Sequence, residues 1–397
     1  MQSTEGQPLE GVRVLDLSRI LAGPWAAQTL ADLGAEVIKV ERPEVGDDTR
    51  HWGPPYQKDA DGNDTENAAY FASANRGKKS IAVDFTQPEG QEIVRRIARH
   101  SDVLIENFKL GGLDKYGLDY DSLRQINPGL VYCSITGFGQ TGPYAARAGY
   151  DFLVQGMGGL MSVTGEADGQ PMKIGVALTD ILTGLYSTIA IQAALAQRQK
   201  TGEGQHIDMA LLDVTTATMA NQAMNYLVSG EAPGRLGNAH PNIVPYQAFA
   251  SADGHIILAI GNHAQFTRFC EVAGRPELAA DPRFASNRVR VENRETLVAI
   301  LAKIIAERTT DDWIAALEAV KVPCGPINTL DRVFADPQVQ ARGLRRELEH
   351  PMTGSVPSVA NPIRMSGASL TSPLAPPTLG QHTDEVLAQF AELAHND

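Results

Sequence analysis

Cysteine is scarce: the 397 residues include three, Cys133, Cys270 and Cys324. They are scattered, odd in number and at no metal-ligand spacing, which excludes a disulfide framework and suits free thiols in a reducing compartment. Each reads as buried apolar filler rather than a nucleophile. Positive charge is also in deficit, with 34 Lys and Arg against 47 Asp and Glu and a formal net charge of −13. That balance argues against nucleic acid or an anionic membrane as the main partner. No run of about 18 apolar residues is uninterrupted, and the opening MQSTEGQPLEG has neither a basic n-region nor an apolar h-region. A cytoplasmic protein is expected, with no membrane partner. Familiar fingerprints are missing as well. The loop after the first apolar strand reads SRILAGP instead of G-x-G-x-x-G, and no P-loop, H-E-x-x-H or G-x-S-x-G occurs, so dinucleotide-dependent, phosphate-loop, zinc-protease and serine-hydrolase readings fall away. His240 and His263 sit in loop-like sequence without a second His or Cys at metal spacing, and no metal site is expected.

What is present is an alternation of short apolar strands and helices. VRVLDL (12–17), a helix over 22–33 and EVIKVE (36–41) make a parallel βαβ unit, for which an open doubly wound α/β sheet is the natural host. KSIAVDF (79–85), PEGQEIVRRIARH (88–100), DVLIENF (102–108) and LVYCSITGFG (130–139) repeat the theme. The chain is long for one core. A Gly/Pro/Asn-rich passage over 231–246, followed by a strand pair about an Asp-Gly turn and amphipathic helices, marks a second, smaller α+β domain. The expected organisation is a large domain of 1–205 and 330–397, a helical linker over 206–230, and a small domain over 231–325.

Two features could carry chemistry. GVALTDILTG (175–184) places Asp180 at the head of an apolar helix, with no other charge between Lys173 and Arg198. The ordinary role of such an Asp is an N-cap, satisfying orphan N–H groups at the positive end of the dipole. SANRGKKS (73–80) gathers Arg76, Lys78 and Lys79 before a strand in an acidic chain; it is either a solvated turn or a seat for phosphates. Arg42 and Lys115 lie at or beyond strand ends, where α/β ligands dock. TGFGQTGPY (136–144) is a loop whose small residues let backbone approach a ligand.

Taken together, GVRVLDLSRILAGP, GAEVIKVERPEVGDDTR, NRGKKSIAVDF, ENF, ITGFGQTGP, AGYD, GLMSVTG, GVALTDILTG, KTGEGQHID, VPYQAF, FADPQV and LGQHT, in this order over nearly the whole chain, resemble the class III CoA-transferases of the formyl-CoA and carnitine CoA-transferase type. The resemblance implies that Asp180 is the nucleophile. It implies that Arg42, Asn107, Phe108, Lys109 and Lys115 hold the CoA nucleotide, with Lys79 added on its charge. It further implies a Rossmann-like large domain built from both ends of the chain, an interlocked homodimer, an acyl-CoA thioester and a small carboxylic acid as substrates, and no tightly bound cofactor. Asp180 would attack the thioester carbonyl to give a mixed anhydride and then an aspartyl-CoA thioester. One thioester is exchanged for another of similar energy.

The α-methylacyl-CoA racemases share the fold but carry His where AGYD has Tyr150, and a phenol of pKa about 10 is a poor base for α-proton abstraction. The run of glycines that covers the nucleophile in formyl-CoA transferases has no equivalent. LAIGNHAQF offers Gly261 and Asn262 instead. HWGPP, GNAHPNIVPYQAF and GNHAQF look closest to the succinyl-CoA:dicarboxylate branch, so a cation should meet the remote carboxylate of the acceptor. Arg19, Arg235 and His240 are the candidates by charge.

Overall fold

The computed structural model describes residues 6–59, 61–370, 372 and 374–393. The chain divides into two compact units, Met1–Leu160 with Ile174–Ala223 and Pro337–Asp397, and Met161–Lys173 with Met224–Asp336.

The larger unit is a mixed α/β body around six parallel strands: β1 (Arg13–Asp16), β2 (Glu36–Glu41), β3 (Lys78–Ala82), β4 (Val103–Glu106), β5 (Val131–Thr136) and β6 (His206–Ala210), in the order β3-β2-β1-β4-β5-β6. Successive residues feed opposite cores, as period-2 geometry requires. Val14, Val37, Val103, Ile105, Val131 and Cys133 face one core, while Leu15, Ile38, Leu104 and Tyr132 face the other. The first core is closed by helices α1 (Ala22–Asp32) and α4 (Leu178–Thr201), which bring Ala26, Leu30, Ile191 and Leu195. The second is closed by α2 (Pro88–Arg99) and the last helix, Thr383–Leu393, through Val94, Ile97, Val386 and Phe390. Each such side chain fully removed from water is worth about 1.5–3 kcal/mol.

The domain limits read from sequence differ from these units in four places, one being that the smaller unit begins at Met224 and not at 231. His206–Ala210 is a sheet strand rather than the start of a helical linker: HIDMA alternates, and Ile207 and Met209 pack on the core. Met161–Lys173 belongs to the smaller unit, and the return to the larger one comes at Pro337. Helices α3 (Asp151–Met157) and α5 (Leu211–Thr218) complete the frame around the site.

α1 and α4 pack closely because Gly184 has no side chain. A Cβ there would stand 2.7 Å from the carbonyl oxygen of Ala22 and 3.0 Å from Cβ of Trp25. The last glycine of GVALTDILTG thus seats the start of α4 beside the start of α1.

The smaller unit holds an antiparallel sheet, β9-β8-β7, of β7 (Tyr246–Ala250), β8 (His255–Ala259) and β9 (Cys324–Pro326). Its own core gathers Phe249, Ile256, Phe266, Phe269, Leu301 and Trp313.

Candidate active site

The strand order reverses between β1 and β4, and in open α/β sheets ligands settle beyond the carboxyl ends of strands at that switch. A cleft of about 360 Å³ lies there, lined by Arg19 to Ala22 after β1, Asn107 to Leu110 after β4, Thr136 and Gly137 after β5, Arg147 to Asp151, and Asp180. The β1 and β4 loops are tied together across the switch. The Asn107 amide accepts from the Arg19 N–H at 2.9 Å and donates to the Arg19 carbonyl at 2.7 Å, and the Arg19 guanidinium lies 5.6 Å from the Phe108 ring centre. Glu106 at the end of β4 accepts the Phe108 N–H at 2.7 Å. On the far wall Gly137 and Gly149 cross in contact, where a Cβ on Gly137 would stand 2.5 Å from the other Cα.

Asp180 is the third residue of α4 and is only 9% exposed. It does not cap its helix; the cap position is Ala177, which has no side-chain bond to give. The first-turn donors are all committed elsewhere. Leu178 N–H donates to the Val176 carbonyl at 2.8 Å and Ile181 N–H to the Ala177 carbonyl at 3.1 Å, while Thr179 and Asp180 N–H donate to Oδ2 of Asp151 at 2.9 and 3.3 Å. The capping expected of Asp180 is therefore done by Asp151, from the first turn of α3. Burial, with the Asp151 charge adding to it, pushes the Asp180 carboxyl up to about 7. An acid near the dipole's positive end ordinarily falls; this one rises because burial dominates and the nearest N–H groups point at its neighbour.

Beneath the β1 loop lies a buried ionic layer. Lys39 and Asp47 pair at 3.0 Å, Lys78 and Asp16 at 2.9 Å, and Arg50 and Glu41 at 2.6 Å, all with side chains almost wholly enclosed. Asp47 also accepts the N–H of Ile20 at 3.2 Å. Ile20 has φ +72°, a conformation that costs a β-branched residue about 1–3 kcal/mol and persists only where the surroundings impose it. The buried charges hold that strained turn at the mouth of the cleft.

Of the residues named from sequence, the structure brings together Asp180, Asn107, Phe108, Lys109, Tyr150 and Arg19 around one cleft. Lys115 is not among the cleft-lining residues; its Nζ lies 4.6 Å from the Tyr116 ring centre. Arg42 is exposed after β2 and is not among the lining residues. Lys79 sits at the opposite, N-terminal end of its strand, paired with Glu36 at 3.1 Å and Glu385 at 2.8 Å, and is not among the cleft-lining residues. The basic cluster is neither a solvated turn nor a phosphate seat: Lys78 is buried on Asp16 and Arg76 is paired with Asp32. Gly261, Asn262, Arg235 and His240 belong to the smaller unit. There Asn262 caps the helix His263–Val272 by accepting from Gln265 N–H at 2.9 Å, and the Gly261 N–H donates to Gln265 Oε1 at 2.8 Å. The Arg235 guanidinium is spent on the carbonyls of Glu166 and Gly169, and the His240 Nδ1 accepts the Asn242 N–H at 3.0 Å.

Two lining residues are given no role by the sequence, although Asp151 stands in AGYD. Asp151 acts on a helix that begins 27 positions later, a partnership no local pattern encodes. Arg147 lies over the rings of Phe138 and Tyr144 and makes no ion pair among the described residues, whereas Arg19 is held by Asp48 at 2.8 Å. Its one signal is being the single charge in GFGQTGPYAARAGY (137–150).

A doubly wound α/β body with an enclosed carboxyl at its switch-point cleft defines an enzyme frame, and comparison with known proteins says which. The model of CoA-transferase family III matches residues 9–383. The chain belongs to that family and is an acyl-CoA:carboxylate CoA-transferase. It is 57% identical over 383 residues, covering 96% of both chains, to the succinate–glutarate CoA-transferase of Agrobacterium fabrum. It is 46% identical to the human succinyl-CoA:glutarate CoA-transferase, covering 96% of this chain and 86% of the other. A crystal structure of a CAIB/BAIF family protein from Brucella suis superposes with a TM-score of 0.86 at 56% identity, covering 97% of this chain and 100% of that one.

Proposed function

We propose that this enzyme moves CoA between succinyl-CoA and a dicarboxylic acid of glutarate type, with Asp180 as the covalent carrier. The observation that carries this reading is the Asp180 carboxylate itself, buried at the cleft floor with its helix donors committed elsewhere. Such a group is poorly solvated and hence a strong nucleophile when ionised. The activities of the relatives supply the substrate pair.

Asp180 attacks the succinyl thioester carbonyl, forming a mixed anhydride and expelling CoA thiolate. The thiolate attacks the aspartyl carbonyl and releases succinate, leaving an aspartyl-CoA thioester. The acceptor carboxylate then attacks that thioester, and the freed thiolate takes the acceptor's acyl carbon, regenerating Asp180. Asn107, Phe108 and Lys109 flank the CoA chain, and Arg147, which has no acidic partner among the described residues, meets the acceptor's remote carboxylate. The working assembly is a homodimer, a reading supported by the exposed Tyr150, Phe152, Leu185, Tyr186 and Ile189 around the helices that build the cleft.

The test is a thioester-exchange panel with succinyl-CoA and, separately, glutarate, hydroxymethylglutarate, mesaconate, carnitine and oxalate, in deuterium-enriched solvent. Glutaryl-CoA without α-deuterium is expected. Exchange confined to carnitine or oxalate would overturn the dicarboxylate assignment, and α-deuteration of a methylacyl-CoA without exchange would overturn the transferase reading.

A further inference from the structure

One acidic residue at the head of α4 takes no part in the covalent steps. Asp151 is fixed by three bonds: Thr179 N–H and Asp180 N–H at Oδ2, and the Gln155 side-chain amide at Oδ1 at 2.7 Å. Gln155 is itself fully buried and accepts the Ile174 N–H at 3.0 Å, so the segment leading into α4 and the carboxylate that caps it are locked as one piece.

We propose that Asp151 is a positioning residue that keeps Asp180 reactive, by holding the α4 N–H groups away from the Asp180 carboxylate and by placing a second negative charge beside it. This rests on Asp180 being the nucleophile. While Asp180 is an anion, the two carboxylates repel, and the burial of Asp180 leaves that repulsion less screened than in water. When Asp180 forms the anhydride or thioester it becomes neutral, the negative charge departing on the CoA thiolate or the released acid, and the repulsion is gone. Asp151 therefore raises the free energy of the resting enzyme more than that of its acylated forms, and differential stabilisation of this kind speeds the step. The charged and titratable groups facing the pair are Tyr70, whose ionisation both carboxylates oppose, and Arg19, Lys109, Arg147 and Tyr150 on the cleft wall. Burial and the Asp151 charge act on Asp180 in the same direction.

The decisive variant is Asp151→Asn, which retains an oxygen to cap α4 and removes the charge. Its acid limb in the kcat/KM profile is expected to move down by about one pH unit, and kcat at high pH to fall about tenfold, with KM for succinyl-CoA little changed. With donor alone and no acceptor, the share of enzyme trapped by hydroxylamine at Asp180 should fall as well. An Asp151→Asn enzyme with an unmoved acid limb and an undiminished trapped fraction would overturn the proposal. If that variant does not fold, Gln155→Met decides, since it removes one of the three bonds that place Asp151 while leaving its charge: a lowered kcat with a displaced acid limb supports the proposal, and an unchanged kcat and acid limb overturn it. Mass spectrometry of the wild-type adduct separates this from the underlying reading. A label on any residue other than Asp180 would sink the nucleophile assignment first, whatever Asp151 does.

Discussion

At the scale of single residues, the site turns on how one carboxyl is solvated. The Asp180 pKa is raised from its ordinary 3.8 to about 7, so the folded protein binds this proton more tightly than the unfolded chain. Its contribution to stability is full below the ordinary value and is lost as pH rises toward 7. A shift of that size corresponds to on the order of 4 kcal/mol. Asp180→Asn is therefore expected to abolish exchange and to be more stable than the wild type at pH 8, with the gap closing toward pH 4. Thermal melts across that range check it, and equal melting curves at pH 8 would count against a strained carboxylate. In the wild type, kcat/KM should rise with pH up to about 7 as the nucleophile ionises. In the sequence Asp180 stands out as one acid in a long apolar run, which by itself reads as a helix cap; the nucleophile role comes from the family resemblance. Its real environment is not legible there, because whether an acid caps its helix or is starved by a neighbour's cap depends on Asp151, placed by the fold.

At the scale of elements, the glycine that ends GVALTDILTG matters as much as its aspartate. Gly184→Val would press two methyl groups into the Ala22 carbonyl and Trp25, an overpacking cost of about 1–3 kcal/mol. It should also push the start of α4 off the start of α1, opening the cleft. A lower Tm with a raised KM for the acyl-CoA is expected, whereas the lost Tm with unchanged kinetics would confine Gly184 to packing. The first five sheet strands were readable from their apolar runs, and α1 and α2 from their periodicity and turns. The strand His206–Ala210 was not. It is five residues long, half exposed, and followed at once by a helix, so the 3.6-residue period of that helix masked a period of two. The basic run at 76–79 misled for a related reason. Three cations in sequence look solvent-facing until strand alternation sends Lys78 inward to Asp16 and Lys79 to the opposite face.

At the scale of the whole molecule, α4 is long and apolar enough to cross a membrane by length and hydropathy, yet 44% of its most apolar window is buried within the chain. One face lies on the sheet and α1, and the other exposes Leu185, Tyr186 and Ile189. A helix apolar on both sides is one expected to be covered on both, and the homodimer proposed above supplies the second cover. Ile189→Glu should shift the molecular mass in sedimentation toward a monomer and depress activity; an unaltered dimer would place the interface elsewhere. The doubly wound architecture could be argued from alternation alone, but which residues of the tail touch the sheet could not. Those contacts are long-range: Ser80 N–H donates to the His382 ring at 3.1 Å, Ala82 N–H to the Thr383 hydroxyl at 3.0 Å, and His382 N–H to the Ser80 carbonyl at 2.9 Å.

Those three bonds sit on the outer edge of β3, where a sheet would otherwise offer free ladder positions to any passing strand. The tail fills them with one backbone N–H, from His382, and with an imidazole and a hydroxyl, side-chain groups that terminate a sheet instead of extending it. During synthesis, however, β3 is made some 300 residues before its cover. Until the segment around His382 and Thr383 leaves the ribosome, the growing chain carries an adhesive border, and its protection from self-association must come from outside the fold.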